Sequence, residues 1–201
     1  MLINILHLSA DKCIELGPQA IAAEEKRRQS YLEEMATQRA KFVVHDGFVD
    51  RPVFKGISKS HKQIVQYAKD NNLPSIVIME DDCKFTHPDS YKYFLKNTPQ
   101  DYDLYFGLIY HGSINEEYRV MNGFSGGLTL YRINRRFYDT FLSVSYKNHL
   151  DNQLGELAWN HKYYVCPEFC CTQPGGYSYN HRRELYYDEY LRNKVLYTGR
   201  H

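Results

Sequence analysis

Along this chain, apolar and polar positions fall into blocks whose period switches between that of a strand and that of a helix. The opening run, Leu2-Ile3-Asn4-Ile5-Leu6-His7-Leu8, predicts a first strand. Residues 19–40 are rich in Ala, Glu, Arg and Gln, with Leu32, Met35 and Ala36 spaced as one face of an amphipathic helix. Residues 41–46 predict a second strand that ends at the Asp46-Gly47 turn signal. Ser60 with Gln63 has the form of a capping box, and His61, Ile64, Val65 and Ala68 follow at helical spacing until Asn71-Asn72-Leu73-Pro74 stops the helix.

The run Ser75-Ile76-Val77-Ile78-Met79 then leads directly into Glu80-Asp81-Asp82. An unbroken apolar run of this length suits a strand covered on both faces, as in a parallel sheet. Farther on, the pattern predicts a helix over 88–96, a strand over 102–108, a glycine-led strand over 126–131 and a last short strand over 163–165. Between the last two, Asn134 caps a helix bearing Phe137, Phe141 and Val144, and Leu150, Leu154, Leu157 and Ala158 repeat the helical face around Asp151. Residues 172–201 are dominated by Gly, Tyr and basic side chains and read as a loop with a short polar helix that wraps the domain or covers its site. Strands alternating with helices predict an α/β fold with a mainly parallel central sheet flanked by helices, and 201 residues suit one domain.

The acidic triplet is the chemical focus. Ligands of open α/β sheets bind beyond the carboxyl ends of the strands, where Glu80-Asp81-Asp82 stands. Three adjacent carboxylates repel one another unless a cation neutralises them, and hard oxygen donors favour Mn²⁺ or Mg²⁺ completed by water and phosphate oxygens. The plainer alternative is a solvated turn, because Asp favours turns and strand ends.

Composition narrows the partners. With 25 basic and 24 acidic residues the net charge is +1, which gives no global electrostatic footprint for nucleic acid or an anionic membrane. No apolar run approaches the roughly 20 residues of a membrane span, and the first residues lack a basic leader, so cytoplasmic residence is the expectation. Five cysteines without CxxC spacing argue against a zinc ribbon or a disulfide framework and read as reduced, packed thiols, Cys83 beside the triplet included. The nineteen tyrosines serve equally as carbohydrate or base platforms and as core residues.

Taken in order, these features resemble the GT-A glycosyltransferases, most closely family 25, the lipopolysaccharide and collagen galactosyltransferase relatives. The resemblance rests on Gly56-Ile57-Ser58-Lys59-Ser60-His61, on Ile76-Val77-Ile78-Met79-Glu80-Asp81-Asp82, on 128–133, on Leu150-Asp151-Asn152-Gln153-Leu154 and on the Pro…Gln…Ser stretch over 167–178. It departs at Leu8-Ser9-Ala10-Asp11, where that family carries an Asn-Leu-Asp type of strand end. The resemblance implies a GT-A-type nucleotide-diphospho-sugar transferase fold. It also implies transfer of a sugar, galactose or another hexose, with inversion, from a nucleotide-sugar donor to a glycan hydroxyl. A UDP-sugar is favoured over a GDP-sugar.

Residue by residue, the resemblance makes Asp82 the direct ligand of Mn²⁺ or Mg²⁺, Glu80 a ligand through ribose or water, and Asp81 a supporting substrate contact. Asp151 becomes the catalytic base, although an Asp before an apolar helical run also suits an N-cap. Ser9 and Asp46 are nucleotide contacts, with Asp46 also explicable as a turn residue. His61 is a core histidine or a substrate contact, and His181 a late metal ligand or a solvated loop residue. Two other readings use the same acidic strand end: a metal-dependent nucleotide phosphohydrolase, and a GT-A-fold binding protein without catalysis.

Overall fold

The computed structural model describes residues 1–121 and 123–199. In chain order the elements are β1 (Ile3–His7), α1 (Ala10–Ile14), α2 (Pro18–Gln38), β2 (Phe42–Asp46), α3 (Val53–Asp70), β3 (Ser75–Glu80), β4 (Lys84–Phe85), α4 (Ser90–Lys96), β5 (Leu104–Phe106) and β6 (Leu130–Asn134). After them come α5 (Tyr138–Ser143), α6 (Leu150–Glu156), β7 (Tyr163–Val165), β8 (Cys171–Thr172), β9 (Gly176–Ser178), β10 (Arg183–Leu185) and α7 (Asp188–Leu191).

A six-stranded sheet in the order β2-β1-β3-β6-β5-β7 forms the centre, and β6 is the one strand running against its neighbours among the described residues. The fold is therefore α/β with a mainly parallel sheet, as the alternation of elements predicts. β1 and the Ile76–Met79 stretch of β3 are covered on both faces, which is why both read as nearly unbroken apolar runs. Register brings strand ends together: Leu6 lies opposite Glu80 and His7 opposite Asp46, so β1, β2 and β3 deliver polar residues to one edge of the sheet.

Several boundaries and faces differ from the sequence reading. α2 occupies the expected span, yet its buried residues are Ala20, Glu24, Tyr31 and Met35, while Leu32 is 40% exposed. The inward stripe was masked because one of its places is held by a carboxylate, Glu24. α3 begins at Val53, two turns before the Ser60 capping box. Ser60 sits inside the helix, where its Oγ donates to Gly56 O at 2.7 Å and accepts from Phe48 N at 2.7 Å. The hydroxyl fastens the preceding loop and caps nothing. Pro88 precedes α4 without entering its first turn. β6 starts at Leu130 because Gly126 and Gly127 hold φ values of +67° and +133°, which an extended strand does not admit. Asn134 does cap as expected, accepting from Arg136 N at 3.2 Å at a short 3₁₀ turn before α5. The β9–β10 hairpin has no counterpart in the periodicity of residues 172–201.

Tyr105, Tyr131, Tyr138 and Tyr163 are fully buried, so much of the tyrosine enrichment serves the core. All five cysteines are free and buried. No helix among the described residues is long and apolar enough to cross a membrane.

One close approach sets the position of α6. A Cβ on Gly155 would lie 2.2 Å from Phe124 O and 2.9 Å from Phe124 N, both backbone atoms that cannot step aside alone. Gly155→Ala is expected to destabilise the protein by about 1–3 kcal/mol through overpacking, read as a lower midpoint in thermal or urea denaturation. An unchanged midpoint would mean that α6 shifts freely against the 123–125 segment.

Candidate functional site

A cavity of about 390 Å³ opens at the carboxyl ends of β1, β2 and β3. Its lining includes His7, Glu80, Asp81 and Asp82 from the strand ends, Gly126 and Gly127 from the turn before β6, and Asp151 from α6. The carboxyl-terminal segment contributes Gln173, Tyr179, His181 and Tyr187 to the same wall. Residues distant in sequence thus meet where an α/β sheet presents its ligand site.

The triplet is itself a tight turn: Cys83 N donates to Glu80 O at 3.1 Å, while Glu80 N is held by Thr129 O at 2.9 Å. A turn and a charged site coincide here. Each carboxylate has a different environment. Asp81, 4% exposed, accepts from His7 Nδ1 at 2.7 Å and from Arg27 Nη1 at 2.5 Å, so both of its oxygens are engaged. Burial works against its charge, but Arg27 and His7 outweigh it and hold Asp81 below the ordinary carboxylate range. His7 is in turn bonded through Nε2 to Glu24 at 3.0 Å. Burial lowers its affinity for a proton, yet the two carboxylates raise it more, which favours an imidazolium donating from both nitrogens.

Asp82 Oδ2 accepts from Gln173 Nε2 at 2.8 Å and forms an ion pair with Arg27 Nη2 at 3.0 Å. Its Oδ1 is buried with no hydrogen-bond partner. Burial pushes the Asp82 carboxyl up to about 6, with Glu80 and Asp81 adding to the rise against the pull of Arg27. A buried carboxylate oxygen left without a partner is costly and asks for a cation or a donor. Glu80 Oε1 lies 3.3 Å from His61 Nε2, and His61 Nδ1 lies 2.6 Å from the Tyr131 hydroxyl. Burial holds the Tyr131 hydroxyl protonated, and the two contacts tie His61 between the core and Glu80. His61 is completely buried and lines the inner wall of the cavity beside Glu80.

Asp151 lies inside the first turn of α6, whose N-cap is His149, so the N-cap alternative for Asp151 does not hold. Its Oδ2 accepts instead from Gly126 N at 2.7 Å, fastening the glycine turn to the helix. Ser9 and Asp46 are brought together, but with each other: Ser9 N and Oγ donate to Asp46 at 3.0 and 3.1 Å, beside Lys12 Nζ at 2.9 Å. The pair stands at the strand ends next to the cavity, with neither residue in its lining. His181 lines the cavity from the 179–182 turn; its N donates to Ser178 Oγ at 3.2 Å, and its Nε2 lies 3.4 Å from Asn180 Nδ2.

No three His, Cys, Asp or Glu side chains among the described residues converge to enclose an ion, so Asp82, Glu80 and His181 do not form a closed centre. The donor set fits another kind of site. Asp82 and the partly exposed Glu80 would offer hard oxygens to an Mn²⁺ or Mg²⁺ ion that takes its other ligands from water or substrate.

Arg27, Glu24 and His7 are site residues that the sequence reading did not single out, while Gln173 is the Gln of the Pro…Gln…Ser stretch over 167–178, to which no role was given. Glu24 and Arg27 stand three apart on α2, a spacing that puts them on neighbouring positions of one helix face. That was a signal, but the apolar residues of the helix pointed elsewhere.

Comparison with protein-family models and with curated proteins finds no match. Among solved structures, a glycosyltransferase involved in glycosylating the major capsid of the virus PBCV-1 aligns with 100% of this chain and 93% of its own, at TM-score 0.53 and 9% identity. A mutant Drosophila β1,4-galactosyltransferase 7 in complex with manganese, UDP-Gal and xylobiose covers 98% of this chain and 82% of its own, at TM-score 0.52 and 12% identity. Its catalytic domain in complex with xylobiose aligns at the same TM-score of 0.52. At these identities the likeness establishes the fold alone, an α/β fold with a mainly parallel sheet shared with these glycosyltransferases.

Proposed function

We propose that the chain is a metal-dependent glycosyltransferase that moves a hexose from a nucleotide-sugar donor to a glycan hydroxyl with inversion. The observation that carries this reading is the shared cavity: the Glu80-Asp81-Asp82 turn lines the same space as Asp151. The order of motifs that resembles family 25 supports it, as does the fold.

When bound, an Mn²⁺ or Mg²⁺ ion held by Asp82 and Glu80 supplies electrostatic stabilisation of a departing diphosphate. The chain's own residues do the rest. His61 and Tyr131 hold Glu80 in place from the core, while His7 and Arg27 hold Asp81 and keep the turn rigid. Asp151 accepts the proton of the acceptor hydroxyl as its oxygen bonds to the anomeric carbon and the bond from that carbon to the diphosphate breaks. The Gly126–Gly127 turn, tied to Asp151, keeps that carboxylate facing the cavity. Tyr179, His181 and Tyr187 cover the site from the carboxyl-terminal segment and exclude water.

A thermal-shift series with UDP and GDP, each with and without Mn²⁺, followed by a panel of nucleotide sugars without acceptor, tests this. Stabilisation by a nucleotide only in the presence of metal, with slow release of free sugar from one donor, is the expected result. Release of nucleoside monophosphate in place of sugar would mark a phosphohydrolase. The absence of any metal-dependent nucleotide effect would leave the fold as a binding protein.

A further inference from the structure

The acidic turn carries a cation of its own. Arg27 reaches from α2 to place Nη1 2.5 Å from Asp81 Oδ1 and Nη2 3.0 Å from Asp82 Oδ2. The same Nη2 lies 3.0 Å from Tyr177 O, and the guanidinium carbon is 4.6 Å from the centre of the Tyr179 ring. Its side chain is only 18% exposed, yet it lines the cavity. Each carboxylate of the pair, Asp81 and Asp82, therefore faces a fixed positive charge before any ion arrives. Asp82 is divided, with Oδ2 given to Arg27 and Gln173 and Oδ1 left alone.

A divalent ion drawn to Oδ1 would stand within a few ångströms of that guanidinium. Such an ion and the guanidinium would share the single negative charge of Asp82, which leaves strong repulsion between them until a further anion joins. A diphosphate supplies that anion, with oxygens for the ion and for the N–H donors of Arg27 that remain free of Asp81, Asp82 and Tyr177. We propose that Arg27 is a resident counter-cation that makes ion and diphosphate bind together: it weakens the hold of Asp82 on a divalent ion alone and adds its own charge to the bound diphosphate. This rests on reading the cavity as a metal–diphosphate site. A residue that only fastened α2 to the β9–β10 hairpin would affect both ligands in the same direction.

The two effects have opposite signs, and that is the test. Mn²⁺ binding to nucleotide-free protein is measured by electron paramagnetic resonance, and binding of UDP, with GDP as a second probe, by calorimetry at saturating Mn²⁺. Arg27→Gln is expected to bind Mn²⁺ alone at least about tenfold more tightly and the nucleoside diphosphate at least about tenfold more weakly. Arg27→Lys, which keeps the charge and loses the fork, should hold Mn²⁺ within about threefold of wild type and lose less diphosphate affinity than the Gln variant. Asp81 keeps His7 at 2.7 Å in either case, and Arg27→Met, whose stem still packs on Tyr179, replaces the Gln variant if that one does not fold. Both affinities falling together, or neither changing beside tight wild-type binding of Mn²⁺ and UDP or GDP, overturns the role of Arg27 and leaves the site reading intact. Folded wild-type protein that binds neither diphosphate with Mn²⁺ overturns both.

Discussion

Asp82→Asn is expected to lower sugar release from the donor by about 10²–10³-fold or more and to abolish the Mn²⁺-dependent part of stabilisation by nucleotide. The same substitution should leave the metal-free protein as stable as wild type or more so. Burial and the neighbouring carboxylates push Asp82 up to about 6, so its charge is held against an unfavourable environment, and a neutral amide of the same shape relieves that cost. Arg27 loses one partner and keeps Asp81 and Tyr177. A residue whose removal costs activity while sparing stability is what a site under functional constraint predicts. Sugar release and thermal midpoints, each with and without Mn²⁺, check the pair of effects. Unchanged sugar release by the variant would remove Asp82 from the metal site.

Asp151→Asn carries the second large effect, a fall in kcat of about 10²–10⁴-fold with nucleotide binding near the wild-type value. The amide oxygen can still accept from Gly126 N, now 2.7 Å from Asp151 Oδ2, so the glycine turn should keep its place while the proton acceptor is lost. Asp151→Ala separates the two roles. It also strands the Gly126 N–H and is expected to cost about 1–3 kcal/mol of stability, which the Asn variant should not. Calorimetry for UDP with Mn²⁺, beside turnover with acceptor, gives both readouts. If the Asn variant turns over normally, Asp151 is a fastening of the Gly126–Gly127 turn and the base lies elsewhere.

Legibility followed the range of the interactions involved. β3 with its acidic end, α2 and the face of α3 that buries His61, Ile64, Val65 and Ala68 were readable because runs and periods record burial among close neighbours in the chain. The start of α3 was misplaced because a Ser-x-x-Gln spacing looks the same at a helix end as inside one, where Ser60 bonds Gly56 O and Phe48 N. The inward face of α2 was misread because Glu24 stands on it. A buried carboxylate has no apolar signature, and only its partner His7 explains its position.

The candidate site divides in the same way. Asp82 and Glu80 at the end of a covered strand, and Asp151 opening an amphipathic helix, were visible in the chain. Their meeting in one cavity was implied by the family resemblance alone, since no spacing along the chain encodes it.

What the sequence by itself determined is the alternation of strands and helices and the delivery of three carboxylates to the end of a buried strand. Both depend on the order of apolar and polar residues within a few positions of each other. Tertiary structure alone decided the state of those carboxylates: Asp81 saturated by His7 and Arg27 across 74 and 54 residues, Asp82 shared with Gln173 across 91, and Glu80 steadied by His61. Polar partners so far apart leave no periodic trace, because their pairing is selected by where the sheet and helices bring them and not by any rule of spacing along the chain.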